Sequence, residues 1–198
     1  MKARARQDTL MQAATRCFAK NGYHSTGVSD IIETAGVARG TFYLYFKSKL
    51  DVFSRILDDF IAHLGDQIKT IELGSGMPPA QQMRANVERL VDAITKKPGP
   101  AKIIFNEAVG LNPEIDGKLR AFYGRLISII EASLNKGISL GLVRKVDPSA
   151  AACIITGGFR ELMVQKIVFR NARLEKGAIV DGLIDVILGG LGGRPVVN

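Results

Sequence analysis

The sequence predicts an all-α protein: an N-terminal three-helix head containing a helix-turn-helix, then a larger helical bundle, about nine helices in total. Three observations lead there. Apolar residues recur at steps of three and four along most of the 198 residues, the spacing that gathers them on one face of a helix. Glycine and proline clusters, and Asn-Pro or Asp-Pro pairs, divide that pattern into segments of helical length. Two C-terminal segments are apolar on more than one face and need cover on several sides.

The first helix carries the stripe Leu10, Ala13, Ala14, Cys17 and Phe18 and ends at the Gly22-Tyr23 turn. Val28, Ile31, Ile32 and Ala35 then mark a short second helix, which Gly36 can close in a left-handed conformation. A third helix runs from about Ala38 to Tyr45 with Phe42 and Phe46 turned inward, completing a head over residues 1–47. Ser48 is placed to cap a connecting helix over 48–73, with Leu50, Phe53, Ile56, Leu57, Phe60, Ile61, Leu64 and Ile68 on its apolar stripe. The cluster from Leu73 to Pro79 stops it, and a further helix follows from about Ala80 to Thr95. Lys97-Pro98-Gly99-Pro100 reads as a second break before a short segment from Ala101 to Leu111. Asn112-Pro113 starts a long helix that keeps its period from Ile115 to Leu134, until Gly137 and Gly141. Asp147-Pro148 repeats that start, and Ala150–Phe169 and Ile179–Leu191 are the two segments that are apolar nearly all round. Gly189-Gly190 and Gly192-Gly193-Arg194-Pro195 read as a fraying tail.

With Phe42 and Phe46 inside, the third helix leaves Arg39, Gly40, Thr41, Tyr43, Leu44 and Tyr45 available to a ligand. Arg39 can fork onto guanine O6 and N7 or onto a phosphate, and Gly40 lets the backbone approach a groove wall. Thr41 offers a hydroxyl or a methyl, and Tyr43, Tyr45 and Lys49 suit phosphate oxygens, contacts that set register without reading sequence. Lys47 is a weaker candidate. Plain core packing would also explain two short helices around a glycine, but residues 1–50 hold eight Lys and Arg against three acidic residues, while the other 148 residues are nearly balanced. The excess charge lies where a polyanionic duplex would need it.

The segment GYHSTGVSDIIETAGVARGTFYLYFKSKLDVF resembles the N-terminal domain of TetR-type bacterial transcriptional repressors, and the resemblance extends from Leu10 to about Phe53. It implies a three-helix DNA-binding head, a connecting fourth helix and a larger helical domain, here 48–198, that dimerises and binds a small effector. It places phosphate contacts on Thr26, Tyr43, Tyr45 and Lys49, and base-reading positions on Arg39, Gly40 and Thr41. Two residues depart from the family pattern: Gly27 stands where Ser or Thr commonly caps the second helix, and Ile32 replaces a usual Ala.

Composition sets the limits. With 46% hydrophobic and 23% charged residues and no apolar run of eighteen, the chain reads as a globular cytoplasmic protein with no membrane partner. MKARARQDTL leads into an amphipathic helix, unlike a secretory signal. Cys17 and Cys153 both lie on apolar helices, so a disulfide framework is not expected and Cys153 reads as a buried small hydrophobe in preference to a redox thiol. His24 and His63 have no partners at ligand spacing, so no metal and no cofactor are expected.

In the second domain Glu107, Tyr123 and Arg160 interrupt apolar stripes, and Phe105, Phe159 and Met163 stand near them. Together they could line a pocket for a small, mostly apolar effector; the bland alternative is a Glu107–Arg160 ion pair within ordinary core. The two C-terminal helices, about 148–170 and 175–191, would cover each other in a homodimer, or else be interior helices of a monomer. The leading reading is a sequence-specific regulator, a repressor released from a double-stranded DNA operator by that effector. The alternatives are a sequence-indifferent DNA binder, or a small-molecule carrier or enzyme with a basic head. No nucleophile–base pair, phosphate loop, paired carboxylates or metal motif supports the enzyme.

Overall fold

The computed structural model describes residues 2–169 and 176–191, and its described residues form nine α-helices and no strand. The chain divides into two compact units, one of Met1–His63 with Lys97–Lys118 and the other of Leu64–Lys96 with Leu119–Asn198.

In the first unit, α1 (Lys2–Asn21) buries the expected stripe of Leu10, Ala13, Ala14, Cys17 and Phe18. Helix α2 (Val28–Ala35) starts at Gly27, whose N–H donates to Asp30 Oδ2 at 2.7 Å, so the acidic N3 residue supplies half of a capping box despite the missing Ser or Thr. It ends at Gly36, in the left-handed region at φ 63° and ψ 39°. Helix α3 (Arg39–Tyr45) is two turns long, and Phe42 is its fully buried side chain. Helix α4 (Lys49–Gly65) begins where Ser48 Oγ accepts from the Asp51 N–H at 3.1 Å. An aromatic cluster joins α1 to α4, with the Tyr23 ring 5.4 Å from Phe18 and 5.2 Å from Phe53.

The connecting helix is shorter than the 48–73 expected: α4 stops at Gly65. The reason lies on α5 (Pro79–Lys96), in the second unit, whose polar side chains bond backbone groups of Gln67, Lys69, Glu72 and Met77. Asn86 accepts from the Lys69 N–H at 2.9 Å and donates back to its carbonyl at 2.8 Å. Gln82 does the same for Glu72, accepting at 2.8 Å and donating at 2.7 Å, and also donates to the Met77 carbonyl. Arg89 donates to the Gln67 carbonyl at 2.9 Å. The segment therefore runs along α5 as an irregular strap, with backbone groups of Gln67, Lys69, Glu72 and Met77 bonded to α5 side chains.

Lys97-Pro98-Gly99-Pro100 breaks the helix as expected, but only at Lys97, because Pro98 is already the first residue of α6 (Pro98–Glu107), where a missing N–H costs nothing. Gly99 is needed there: a Cβ would stand 2.9 Å from Thr15 Cγ2 on α1. Helix α7 (Pro113–Ser139) begins in the first unit, where Lys118 Nζ donates to Ser54 Oγ at 2.6 Å and to Asp58 at 2.7 Å on α4, and ends in the second.

In the second unit α7 closes at Gly141, with φ 70°, as the Leu142 and Val143 N–H groups donate to the Gly137 carbonyl at 2.9 and 3.1 Å. Helix α8 (Pro148–Met163) is capped by Asp147, which accepts from the Ala150 N–H at 2.7 Å, and continues as a π-helical turn, Val164–Phe169. Helix α9 (Lys176–Leu191) packs on α5, where Lys176 pairs with Asp92 at 2.7 Å and Arg84 with Asp181. The expected tail is helical at Gly189 and Gly190, where Arg144 donates to the Gly190 carbonyl at 2.7 Å; Gly192–Pro195 lies outside the described residues, as do 170–175 of the expected dimer helices. Cys153 is exposed on α8 in the single chain, contrary to its reading as a buried hydrophobe, because it lies on the face of the helix turned from the bundle core. Cys17 is buried, with Sγ 3.2 Å from Thr34 Oγ1.

Candidate nucleic-acid interface and effector cavity

Because Phe42 and Phe46 point into the head, α3 turns Arg39, Gly40, Tyr43 and Leu44 outward, all exposed, with Thr41 and Tyr45 half-buried on the flanks. A helix of seven residues is about 10 Å long, which suits presenting one turn of side chains to a groove. Leu44 is the position that residue chemistry undervalued: it is 80% exposed, an apolar side chain with nothing of this chain to cover it. Its signal was already in the helical period, which puts it opposite Phe42.

Two of the expected phosphate-contacting residues sit differently. Thr26 is buried, and its hydroxyl donates to the Gly22 carbonyl at 2.7 Å, closing the turn between α1 and α2. Lys49 Nζ donates to the carbonyls of Tyr23 at 2.7 Å, Thr26 at 2.8 Å and His24 at 3.4 Å, and stands 4.3 Å from the centre of the Tyr23 ring. Burial pushes its pKa down, with Asp30 opposing that shift. Three donors on three carbonyls make Lys49 a clamp from α4 onto the 22–26 turn, which sets where α2 begins. Lys49→Ala should therefore lower the unfolding free energy by about 1–2 kcal/mol, charge-assisted hydrogen bonds being partly replaced by water. Urea unfolding checks the loss. The salt dependence of duplex binding should keep its slope, where loss of a phosphate contact would reduce it by about one.

The second unit contains a cavity of about 440 Å³ walled by α5, α7, α8, α9 and the strap. Ile68, Ile71 and Leu73 of the strap line it, with Met83, Val87 and Leu90 from α5, Leu126, Ile129, Ile130 and Leu134 from α7, Ile155 and Phe159 from α8, and Leu183 and Ile187 from α9. Lys69 and Lys136, both exposed, are its cationic members, and Leu73, Leu142 and Leu188 are the exposed apolar ones, so the hollow opens where the strap meets the ends of α7 and α9. A volume in this range with apolar walls suits a small amphipathic molecule.

Of the six residues expected to meet an effector, Phe159 lines this cavity and the other five do not. Phe105 belongs to the first unit, with its ring 6.3 Å from Phe60. Glu107 is in that unit too, accepting from Asn106 Nδ2 at 2.7 Å and lying against Gly22. Met163 is fully buried in packed core. Tyr123 and Arg160 find each other: burial pushes the Tyr123 phenol up, and the hydrogen-bonded Arg160 guanidinium pulls it partly back. Helical spacing showed which residues share a face, but not whether that face meets a hollow or a neighbour.

Comparison with known proteins agrees with this architecture. Residues 10–56 match the family model of bacterial regulatory proteins of the tetR family, and residues 76–163 match the tetracyclin repressor-like C-terminal domain. The chain is 25% identical over 187 residues to the fatty acid metabolism regulator protein of Bacillus subtilis, covering 92% of this chain and 93% of that one. It superposes with a TM-score of 0.72 on the crystal structure of FadR from Bacillus subtilis in complex with stearoyl-CoA, at 24% identity over 92% of this chain and 97% of that chain. AibR, crystallised with isovaleryl coenzyme A and operator DNA, gives a TM-score of 0.72 at 19% identity, over 91% and 97%. With one family model matched across the helix-turn-helix and the other across α5 to α8, the chain belongs to the TetR family of bacterial transcriptional regulators.

Proposed function

We propose that this regulator is a homodimeric repressor that leaves its operator when a long-chain acyl thioester fills the second unit's cavity. The observation that carries the reading is the cavity itself: apolar along its walls, with Lys69 and Lys136 as the charges near its opening, it suits an apolar chain with an anionic end. The acyl-CoA complexes of the FadR and AibR structures support the same ligand class.

The α3 face supports Arg39, Gly40, Tyr43 and Leu44 as the groove-facing residues, with Thr41 and Tyr45 beside them, while Thr26 and Lys49 hold the turn that orients them. Arg39 reads a guanine or an adjacent phosphate, and Leu44 suits a thymine methyl. Functionally the head ends near residue 47 and the rest serves effector binding and dimerisation, though the compact units themselves divide the chain elsewhere. For the dimer, α8 and α9 expose small and apolar residues in the single chain: Ile154 is 73% exposed and Val186 75%, with Gly157, Gly158 and Gly182 beside them. A second copy related by a two-fold axis would cover this face and set two α3 helices on half-sites about 34–36 Å apart. Coupling requires only that the ligand bind one dimer conformation better than the other.

Selection of bound sites from random duplexes should yield an inverted repeat. Stearoyl-CoA should then weaken binding to that repeat by roughly 5–150-fold, the range that corresponds to typical coupling energies. Failure to recover any repeat, or operator binding indifferent to saturating stearoyl-CoA, would overturn the reading. Arg39→Ala should weaken the selected site about tenfold while relaxing preference at one base pair per half-site, measured by fluorescence anisotropy at fixed salt.

A further inference from the structure

The cavity of the second unit has an open end and a closed one. The strap runs opposite to α5, with Gln67 bonded to Arg89, Lys69 to Asn86 and Glu72 to Gln82, so Leu73 lies toward the start of α5 and Ile68 toward its end. Helix α9 is antiparallel to α5 as well, pairing Lys176 with Asp92 and Asp181 with Arg84. Its last turn meets the turn after α7, where Arg144 donates to the Gly190 carbonyl. The start of α5 and the ends of α7 and α9 therefore share one end of the hollow. Ala80, Lys136, Leu142 and Leu188 line the cavity there and are exposed, as is Leu73. Toward the other end the lining residues are Leu90, Leu126 and Phe159, none of them exposed.

Beyond Leu126 the hollow stops. Tyr123 lies one helical turn further along α7, and Arg160 follows Phe159 on α8; the two are hydrogen-bonded to each other and neither lines the cavity. A chain end could pass Leu126 only by breaking that polar pair. On α7 the outermost lining residues, Leu126 and Gly137, are eleven positions apart, as are Pro79 and Leu90 on α5, so the hollow is about 16 Å long at the helical rise. An extended hydrocarbon built of C–C bonds of about 1.5 Å advances roughly 1.3 Å per carbon, so about thirteen carbons span it.

We propose that Leu126, backed by the Tyr123–Arg160 pair, is the specificity-determining floor of the effector cavity and sets the acyl length it measures at about thirteen carbons. The inference rests on the cavity being the acyl-effector site, with the thioester at the open end near Lys136. Each carbon added below that length takes one methylene out of water and tightens binding about fourfold. Carbons beyond it stay at the rim beside Leu73, Leu142 and Leu188, which is open to water, so stearoyl-CoA enters the hollow but gains little from its extra length.

The test is calorimetric titration of the wild type, Leu126→Ala and Leu126→Phe with saturated acyl-CoAs from decanoyl to stearoyl. Wild-type affinity should rise about fourfold per carbon as far as about tetradecanoyl-CoA, and by less than about twofold per carbon after it. Leu126→Ala deepens the hollow and should move that break about two carbons toward longer chains, while Leu126→Phe fills it and should move the break about two carbons the other way. Decanoyl-CoA stops short of the floor and should bind all three proteins within about twofold. Because Leu126→Phe adds atoms to existing space, it tests the floor even where Leu126→Ala fails to fold. A wild-type affinity still rising fourfold per carbon to stearoyl-CoA, a break that stays in place in the variants, or an equal loss at every length would overturn the floor while leaving the cavity as the effector site. Binding of no member of the series by the wild type would overturn the acyl reading itself.

Discussion

Phe42→Ala should destabilise the head by about 3–5 kcal/mol, the cost of deleting a fully buried aromatic ring, and should abolish specific operator binding. Helix α3 has two turns, too few to be stable on its own, and its attachment to the head runs through Phe42 within the helix and Phe46 just after it. The Phe42 ring also stands 5.9 Å from Phe46 and edge-on to Tyr43 at 5.2 Å, so its loss loosens the phenol on the groove-facing side as well. Denaturant unfolding and anisotropy on the selected operator measure the two losses. Titration with stearoyl-CoA should be nearly unaffected, because the cavity is built from the other unit. Wild-type operator affinity in Phe42→Ala would show that α3 is not the element that meets DNA.

Val87→Phe should have its large effect at the other end of the function. Val87 faces a hollow of about 440 Å³, so the added ring has room and folding should be unharmed or improved. The ring then occupies volume the ligand needs; overpacking costs about 1–3 kcal/mol, which lowers stearoyl-CoA affinity by about 10–100-fold. The variant should remain bound to operator at ligand concentrations that release the wild type. Unchanged release by stearoyl-CoA would place the ligand somewhere other than this cavity.

How far residue patterns reach differs between the two units. In the head, local rules suffice: Gly36 adopts the left-handed conformation its position called for, Phe42 and Phe46 are buried, and Arg39, Gly40 and Tyr43 are exposed. Each of these follows from helical period and backbone sterics over a few residues. Thr26 and Lys49 escaped that reasoning because their partners are carbonyls of a turn, up to 26 positions away in the case of Lys49, and carbonyls leave no mark in a side-chain pattern.

The body of the protein was legible as helices and illegible as a site. Asp147-Pro148 and Asn112-Pro113 start helices as their chemistry requires, since a side-chain acceptor meets an orphan N–H and proline's missing donor is not needed there. The end of α4 at Gly65, by contrast, depends on Asn86, Gln82 and Arg89 offering amides and a guanidinium to a backbone that could otherwise have continued as helix. Tyr123, Arg160 and Glu107 stood out as polar residues on apolar stripes, yet they occupy packed or local hydrogen-bonded positions, while strap residues Ile68 and Ile71 and residues such as Ile155 of α8 bound the hollow. What the amino-acid order determined alone is the set of helices, the family and the outward face of α3, because those depend on interactions between near neighbours along the chain. Where empty space lies, and which side chains border it, was decided by tertiary packing, because a cavity is a property of surfaces brought together from segments scores of residues apart.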